Sequence, residues 1–177
     1  MYLGDGHIAV DRKGVQRLVV TCCDDYPETI REVEGAVHAV LPDNRTRRRQ
    51  RPGCTNVDVY SCHLKCLFPQ HGPGKKHERR IRLAAWQQDI VDSEVEWFIR
   101  GLLLSDGCRS VNRVKSGGTY RDYPRYLFSN RSADILRLFT DACDRLSVGW
   151  TQNLPWSISV ARRSAVAALD EFVGPKR

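Results

Sequence analysis

Two segments of the chain have the hydrophobic spacing of an amphipathic helix. In YPETIREVEGAVHAVL, which begins at Tyr26, apolar residues at 30, 33 and 37 recur at the i, i+3, i+7 interval. In SADILRLFTDACDRL, which begins at Ser132, apolar residues at 135, 138 and 142 follow the same interval. Each position in the second segment lies 105 residues after its counterpart in the first. The pattern therefore predicts two equivalent helices, with Ser132 as the N-cap of the second.

Runs of alternating apolar and polar residues predict strands around both helices. NVDVYS at 56–61 matches SISVAR at 157–162 at an offset of 101 residues. Gly117-Gly118 and Pro52-Gly53 are typical of the tight turns that join hairpin strands. The predicted strands cover residues 7–12, 16–22, 44–50 and 55–61 in the first half and residues 108–115, 120–128, 149–153 and 156–161 in the second.

An Asp-Gly dipeptide ends an apolar stretch in each half, in YLGDGHI at 2–8 and in LLSDGCR at 103–109. Each half therefore contains a helix, two strands, a helix, two strands and further helical residues. This repeat predicts an α+β fold with pseudo-twofold symmetry, two antiparallel sheets and packed central helices. We expect residues 1–93 to form the first repeat, with a basic linker at about 70–82, and residues 94–177 to form the second.

The charge of the chain points to a polyanionic partner such as nucleic acid. There are 28 lysine and arginine residues against 21 aspartate and glutamate residues, a net charge of +7.

Hydrophobic residues make up 41% of the chain, which suits a folded core and excludes a disordered tail. The seven cysteines are irregularly spaced, which favours reduced thiols. With no apolar run near about 18 residues and no apolar leader, we expect a cytoplasmic protein.

Asp106 lies at the end of a predicted helix over EVEWFIRGLLLSDGC, residues 94–108, and Gly107 is typical of a residue that ends a helix. A carboxylate here lies at the negative end of the helix dipole, which disfavours it by about a few tenths of a kcal/mol. In a symmetric repeat, Asp5 would lie close to Asp106, and their repulsion would raise a pKa unless a cation lay beside them. Mg²⁺, which uses one or two carboxylates and keeps water for a phosphate, suits such a site.

The segment IRGLLLSDG at 99–107 resembles the nine-residue motif of the LAGLIDADG homing endonucleases. The preceding residues HGPGKKHERRIRLAAWQQDIV resemble the basic loop and helix that come before the second motif in the dodecapeptide type. The resemblance extends over nearly the whole chain, but the first motif, YLGDG, is a fragment. At the offset of 101 residues that relates Asp5 to Asp106, the counterpart of Gly101 would fall one position before Met1. We therefore interpret the first motif helix as truncated.

This resemblance implies a saddle of two αββαββα repeats whose sheets lie along the major groove of double-stranded DNA. In a monomer with internal pseudo-symmetry, Asp5 and Asp106 would bind two or more Mg²⁺ ions at the scissile phosphates. The implied reaction is site-specific hydrolysis of phosphodiester bonds in both strands. Lys75 and Lys76 match the basic loop of the family, and we expect one of them to stabilise the transition state.

Basic residues recur at alternate positions in the predicted strands. Arg45, Arg47 and Arg49 would therefore share one strand face. In the second half, the same alternation predicts one set made of Arg109, Arg113 and Lys115 and another made of Arg121 and Arg125. Each contact with a phosphate would add salt-dependent affinity, and a few contacts could select guanine; the alternative is a solvated polar face. The candidate DNA contacts are Arg12, Lys13, Arg17, Arg45, Arg47, Arg49, Arg109, Arg113, Lys115, Arg121 and Arg125.

Two other functions suit the same features. A LAGLIDADG-like domain that binds DNA without cutting it, either as a regulator or as a degenerate endonuclease remnant, would fit the truncated first helix. Binding of intron RNA, as in maturases, would use the same basic surface. The two aspartates favour the endonuclease over the domain that binds DNA without cutting it.

A cluster of cysteine and histidine residues raises the question of a structural zinc ion. The cluster falls within 16 residues but contains no Cys-x₂-Cys pair. Buried thiols and loop histidines account for the cluster, so we do not expect zinc. Its members are Cys62, His63, Cys66, His71 and His77.

Overall fold

The computed structural model describes residues 1–177, with the exception of the Ser116 side chain. The chain divides into two units, of which the first comprises residues 1–74 with 176–177 and the second residues 75–175. Within the part of the chain that the structure describes, no helix is both long and apolar enough to cross a membrane.

The first unit contains one four-stranded antiparallel sheet in the order β1-β2-β4-β3. Its elements are α1 (Tyr2–Asp5), β1 (Gly6–Val10), β2 (Gln16–Cys23), α2 (Pro27–Val40), β3 (Arg47–Arg51), β4 (Cys54–Tyr60) and α3 (Leu64–Leu67).

The second unit contains a sheet of the same kind in the order β5-β6-β8-β7. It begins with a 3-10 helix (Lys76–Glu78). The remaining elements are α4 (Ala85–Ser93), α5 (Val95–Asp106), β5 (Gly107–Ser116), β6 (Thr119–Ser129), α6 (Ala133–Arg145), β7 (Thr151–Leu154), β8 (Ser157–Val160) and α7 (Arg163–Phe172). The predicted α+β fold, with two antiparallel sheets built from the same sequence of elements, is confirmed.

The first sheet packs its apolar face against α2. Ile30 and Val33 of α2 are buried in one core cluster with Leu18 and Val20 of β2 and Val57 of β4. Because successive side chains of a strand point to opposite faces, the residues between these core positions lie on the other face. We call this other face the polar face of the first sheet. It carries His7, Arg17, Val19, Thr21, Arg47, Arg49, Arg51, Asn56, Asp58 and Tyr60.

The second sheet packs against α6 in the same way. Phe128 of β6 stacks on Phe139 of α6, with ring centroids 4.4 Å apart. Ile158 pairs with Phe128 across the strands, so both occupy the helix-bearing face. The polar face of the second sheet is the opposite one. Its members from β5, β6 and β8 include Cys108, Ser110, Asn112, Arg121, Tyr123, Arg125 and Ser159.

Two local features of the sequence explain where α6 begins and how the chain turns from β5 into β6. The Ser132 hydroxyl accepts a hydrogen bond from the Ile135 amide at 3.4 Å, which confirms the predicted N-cap of α6. Gly117 and Gly118 have φ values of +58° and +83°, a pair that a tight two-residue hairpin requires.

Strand β3 begins three residues later than the pattern predicts. The Asn44 side-chain amide donates to the Tyr60 carbonyl at 2.7 Å, and the Asn44 backbone amide donates to the Leu41 carbonyl at 3.1 Å. These bonds hold Asn44 in a turn rather than in the strand ladder. Arg45 therefore precedes the strand, which runs from Arg47 to Arg51.

Candidate functional site

Asp106 is the last residue of α5, and a neighbouring amide fixes its half-buried carboxylate. Asn130, which follows β6, donates from Nδ2 to Asp106 Oδ2 at 2.6 Å. The Oδ1 atom of Asn130 accepts a hydrogen bond from the Ser132 amide at 2.7 Å. The Asn130 side chain is thus held at both ends, and it restricts the orientation of the carboxylate.

The chemistry of Asp106 suits a hard divalent cation. Asn130 is a neutral donor, so the carboxylate keeps a charge that a lysine or arginine partner would neutralise. Among the described residues, no group of three or more His, Cys, Asp or Glu side chains is placed to hold a metal ion. An ion at Asp106 would therefore take most of its oxygen ligands from water or substrate, which is the coordination that Mg²⁺ accepts.

Asp5 occupies the equivalent place in the first unit, as the exposed last residue of α1. Its charge acts on Cys22 of β2. Burial raises the pKa of the Cys22 thiol to about 11, and the Asp5 carboxylate contributes to the same shift. Asp5 thus lies at the end of the sheet where the helix joins its first strand.

A glycine follows each of these aspartates for the same steric reason. A Cβ atom on Gly6 would lie 2.7 Å from the Tyr2 Cα, and one on Gly107 would lie 2.7 Å from the Leu103 Cα. Both glycines are extended, with φ values of −89° and −106°. Gly107 ends its helix as predicted, but the reason is close approach of the chain to its own helix rather than a left-handed conformation.

The two lysines of the predicted basic loop begin the second unit. Lys75 is exposed, and its ammonium lies 3.7 Å from Glu78 Oε1. Lys76 is half-buried in the 3-10 helix. Solvent weakens the Lys75 ion pair, so this charge remains able to interact with an external anion.

The polar face of the first sheet holds a row of arginines on β3. Arg47 and Arg49 share this face, as predicted, and Arg51, which was not among the predicted contacts, extends the row. Arg48 lies between them on the opposite face, where its guanidinium donates to both carboxylate oxygens of Glu34 in α2 at 2.7 and 2.6 Å. Arg17 lies on the same face in β2, opposite Tyr60 of β4. Arg12 and Lys13 are exposed in the turn between β1 and β2.

The basic residues of the second sheet are divided between its two faces. Arg121 and Arg125 pair with Val114 and Ser110 on the polar face. The other predicted set shares a face, as expected, but this face is the helix-bearing one, because its members pair with residues in phase with Phe128. That set is Arg109, Arg113 and Lys115.

The set on the helix-bearing face has partners within its own unit. Arg109 donates to both oxygens of Asp170 in α7 at 2.7 Å, and this bond holds the pKa of Asp170 below its usual range. Arg113 donates to both oxygens of Asp122 at 2.7 and 2.9 Å. These two arginines are paired within the second unit, whereas Arg121 and Arg125 lie on the polar face, where a partner could reach them.

Two residues of these sites were missed in the sequence. Asn130 follows a strand and belongs to no motif, so nothing in the pattern singles it out. Asp58 could have been found, because it is a single carboxylate within the apolar strand sequence VDV. Its side chain is 1% exposed and lies beside the guanidinium groups of Arg49 and Arg17.

No protein-family model matches the sequence, and no curated protein matches it significantly. Solved structures do match in fold. I-DmoI in complex with DNA and Mn has a TM-score of 0.61 at 13% identity, over 97% of this chain and 90% of that chain. The LAGLIDADG meganuclease I-AabMI, bound to uncleaved DNA, has a TM-score of 0.57 at 11% identity, over 97% and 81%.

I-SmaMI, bound to an uncleaved DNA target in the presence of calcium ions, has a TM-score of 0.54 at 9% identity, over 94% of this chain and 78% of that chain. At such low identity the likeness concerns the fold and not the activity. The chain therefore has the fold of the LAGLIDADG homing endonucleases.

Proposed function

We propose that this chain is a LAGLIDADG homing endonuclease, which binds double-stranded DNA and hydrolyses both strands at a specific site with a divalent metal ion. The observation that carries the proposal is the Asp106 carboxylate, which Asn130 orients at the end of the motif helix without neutralising it. The fold neighbours support it, because they were solved with DNA and with Mn or calcium ions.

DNA binding is proposed for the polar faces of the two sheets. The major groove of B-form DNA accommodates a β-ribbon, and each base pair presents a distinct pattern of donors and acceptors there. Arg47, Arg49 and Arg51 on the first sheet and Arg121 and Arg125 on the second supply the cations for this contact. The net charge of +7 adds long-range attraction to the phosphates. We propose that one chain, acting as a monomer, supplies both sheets.

Metal binding is proposed for Asp106 and Asp5, each in its own unit. The ligands favour Mg²⁺, which would supply an activated water and neutralise charge on the leaving oxygen. Asn130 holds the Asp106 carboxylate in position throughout the reaction. The ammonium of Lys75 or Lys76 offsets the negative charge that grows on the phosphate in the transition state.

A selection followed by a cleavage assay tests this proposal. Duplexes bound by the protein in Ca²⁺ are isolated from a random DNA library, and the enriched site is then incubated with Mg²⁺ or Mn²⁺. We expect a double-strand cut at one position within the selected site, and no cut in EDTA. A site that is bound in every condition but never cut would establish the DNA-binding regulator or inactive remnant instead. Enrichment from an RNA pool, with none from DNA, would favour the RNA alternative.

A further inference from the structure

Asp58 lies in the middle of the polar face of the first sheet and is almost completely buried. Its side chain is 1% exposed, and neither oxygen receives an aligned hydrogen bond from the described residues. Its cross-strand neighbours are Val19 on one side and Arg47 on the other. A buried carboxylate without hydrogen bonds is unfavourable unless cations compensate it.

Two guanidinium groups compensate the charge of Asp58. Arg49 Nε lies 2.5 Å from Asp58 Oδ2, and Arg17 Nη1 lies 3.8 Å from the same oxygen. The Nη2 atom of Arg49 also donates to the Tyr60 hydroxyl at 3.1 Å. The Arg49 guanidinium is therefore held at two points. Both guanidinium groups lie beside Asp58, yet the side chains of Arg49 and Arg17 remain 40% and 26% exposed. A partner can therefore still reach them.

We infer that Asp58 is a positioning residue for base recognition, which holds Arg49 and Arg17 in an orientation that favours guanine over phosphate. The inference rests on the proposed function, because it requires the polar face to meet the major groove. Arginine recognises guanine through two N–H donors directed at O6 and N7. With Nε beside Asp58 and one Nη2 hydrogen on Tyr60, Arg49 keeps the donors of Nη1 and the second of Nη2, and two such donors match the acceptors of guanine.

Asp58 raises selectivity at the expense of general affinity. If either arginine moved to a phosphate, the buried carboxylate would lose compensating charge, so the arginines stay over the sheet. The negative charge of Asp58 also weakens the attraction of this face for the DNA backbone. Replacing Asp58 by asparagine would release both arginines to phosphates. Binding to random DNA would then strengthen, and the preference for guanine would fall.

Binding measurements on Asp58→Asn and Tyr60→Phe test the inference. Each protein is titrated with the selected duplex, with single base-pair variants of it, and with a random duplex at several salt concentrations. We expect the wild type to prefer guanine about 10-fold at one or two positions. Asp58→Asn should lose this preference at those positions alone. Its salt slope on random DNA should become steeper by about 2, because two released arginines would each contact a phosphate.

The second variant and a matched control separate positioning from folding. Tyr60→Phe removes one of the two contacts of Arg49 without a change of charge, so it should weaken the guanine preference and leave the salt slope unchanged. Asp25→Asn makes the same charge change as Asp58→Asn at an exposed position before α2, and it should leave the preference at every base pair unchanged.

The inference fails if a folded Asp58→Asn variant keeps the wild-type preference within about twofold at every position. If Asp58→Asn does not fold, an unchanged preference in Tyr60→Phe overturns it equally. A wild-type protein that binds no duplex would instead remove the proposed function, and the inference with it.

Discussion

The side-chain amide of Asn130 donates a 2.6 Å hydrogen bond to Oδ2 of Asp106. This bond joins the residues after β6 to the end of α5, and its geometry fixes how the carboxylate would face the proposed cation. Groups that orient a metal ligand in this way commonly contribute about 10- to 100-fold to metal affinity or activity.

Replacing Asn130 by alanine should therefore slow cleavage about 10- to 100-fold and raise the Mg²⁺ concentration needed for half-maximal rate. Affinity for the selected DNA in Ca²⁺ should change little, because Asn130 is not among the proposed DNA contacts. Asn153→Ala, at an exposed position of β7, is the matched control. Cleavage by Asn130→Ala at the control rate and Mg²⁺ dependence would contradict the positioning role.

The steric requirement at Gly107 predicts a loss of stability on adding one methyl group. Because a Cβ atom at Gly107 would lie 2.7 Å from the Leu103 Cα, Gly107→Ala should lower the free energy of unfolding by about 1–3 kcal/mol. Gly35→Ala is the control, since Gly35 lies within α2 and no atom approaches its added Cβ within 4 Å. It should raise stability by about 0.5–1 kcal/mol. Equal effects of the two variants in urea unfolding would refute the close approach.

The division of basic residues between faces predicts unequal effects on DNA binding. Arg121→Ala should reduce affinity and lower the magnitude of the salt slope by about 1, because Arg121 lies on the polar face. Arg113→Ala should leave the slope nearly unchanged, since Arg113 lies on the other face and pairs with Asp122. The measurement is the affinity for the selected duplex as a function of salt. A larger slope change in Arg113→Ala than in Arg121→Ala would reverse the assignment of faces.

The ion pair between Arg109 and Asp170 predicts a stability that depends on pH. The hydrogen bond from Arg109 lowers the pKa of Asp170 below its ordinary value of 3.8. The resulting stabilisation is present above that value and is lost as the pH falls through the lower pKa of the folded state. Asp170→Asn should therefore be less stable than the wild type near neutral pH, and the difference should shrink below about pH 4.

Urea unfolding of the wild type and Asp170→Asn at several pH values checks this expectation. Asp89→Asn, at an exposed position on α4, should match the wild-type stability across the range. A stability difference for Asp170→Asn that stays constant from neutral to acid pH would show that the ion pair does not cause it.

Hydrophobic spacing was sufficient to predict most of the fold. The i, i+3, i+7 interval located α2 and α6, because burying one face of a helix imposes that interval whatever the packing partner. The two Asp-Gly dipeptides marked the ends of α1 and α5, since only glycine permits the strand to leave so close to its own helix. These features depend on local geometry and therefore appear in the sequence.

The phase of a strand relative to its sheet could not be predicted in the same way. Alternation shows that Arg109 and Arg113 share a face, and likewise Arg121 and Arg125, but it does not show which face bears the helices. That choice depends on a tertiary contact, the packing of Phe128 on Phe139. For the same reason the sequence gives no sign of Asn130, whose role exists only because two distant segments meet.

A cleavage assay on Asp106→Asn most directly tests the central claim, that Asp106 binds the metal ion needed for DNA cleavage. The substitution removes the charge of the proposed metal ligand and keeps its size, so the fold and the DNA interface should be preserved. We predict that Asp106→Asn binds the selected duplex in Ca²⁺ with nearly the wild-type affinity and produces no cut in Mg²⁺ or Mn²⁺. Asp89→Asn should cut at the wild-type rate. Cutting by purified Asp106→Asn at the rate of Asp89→Asn would contradict the assignment of Asp106 as a metal ligand.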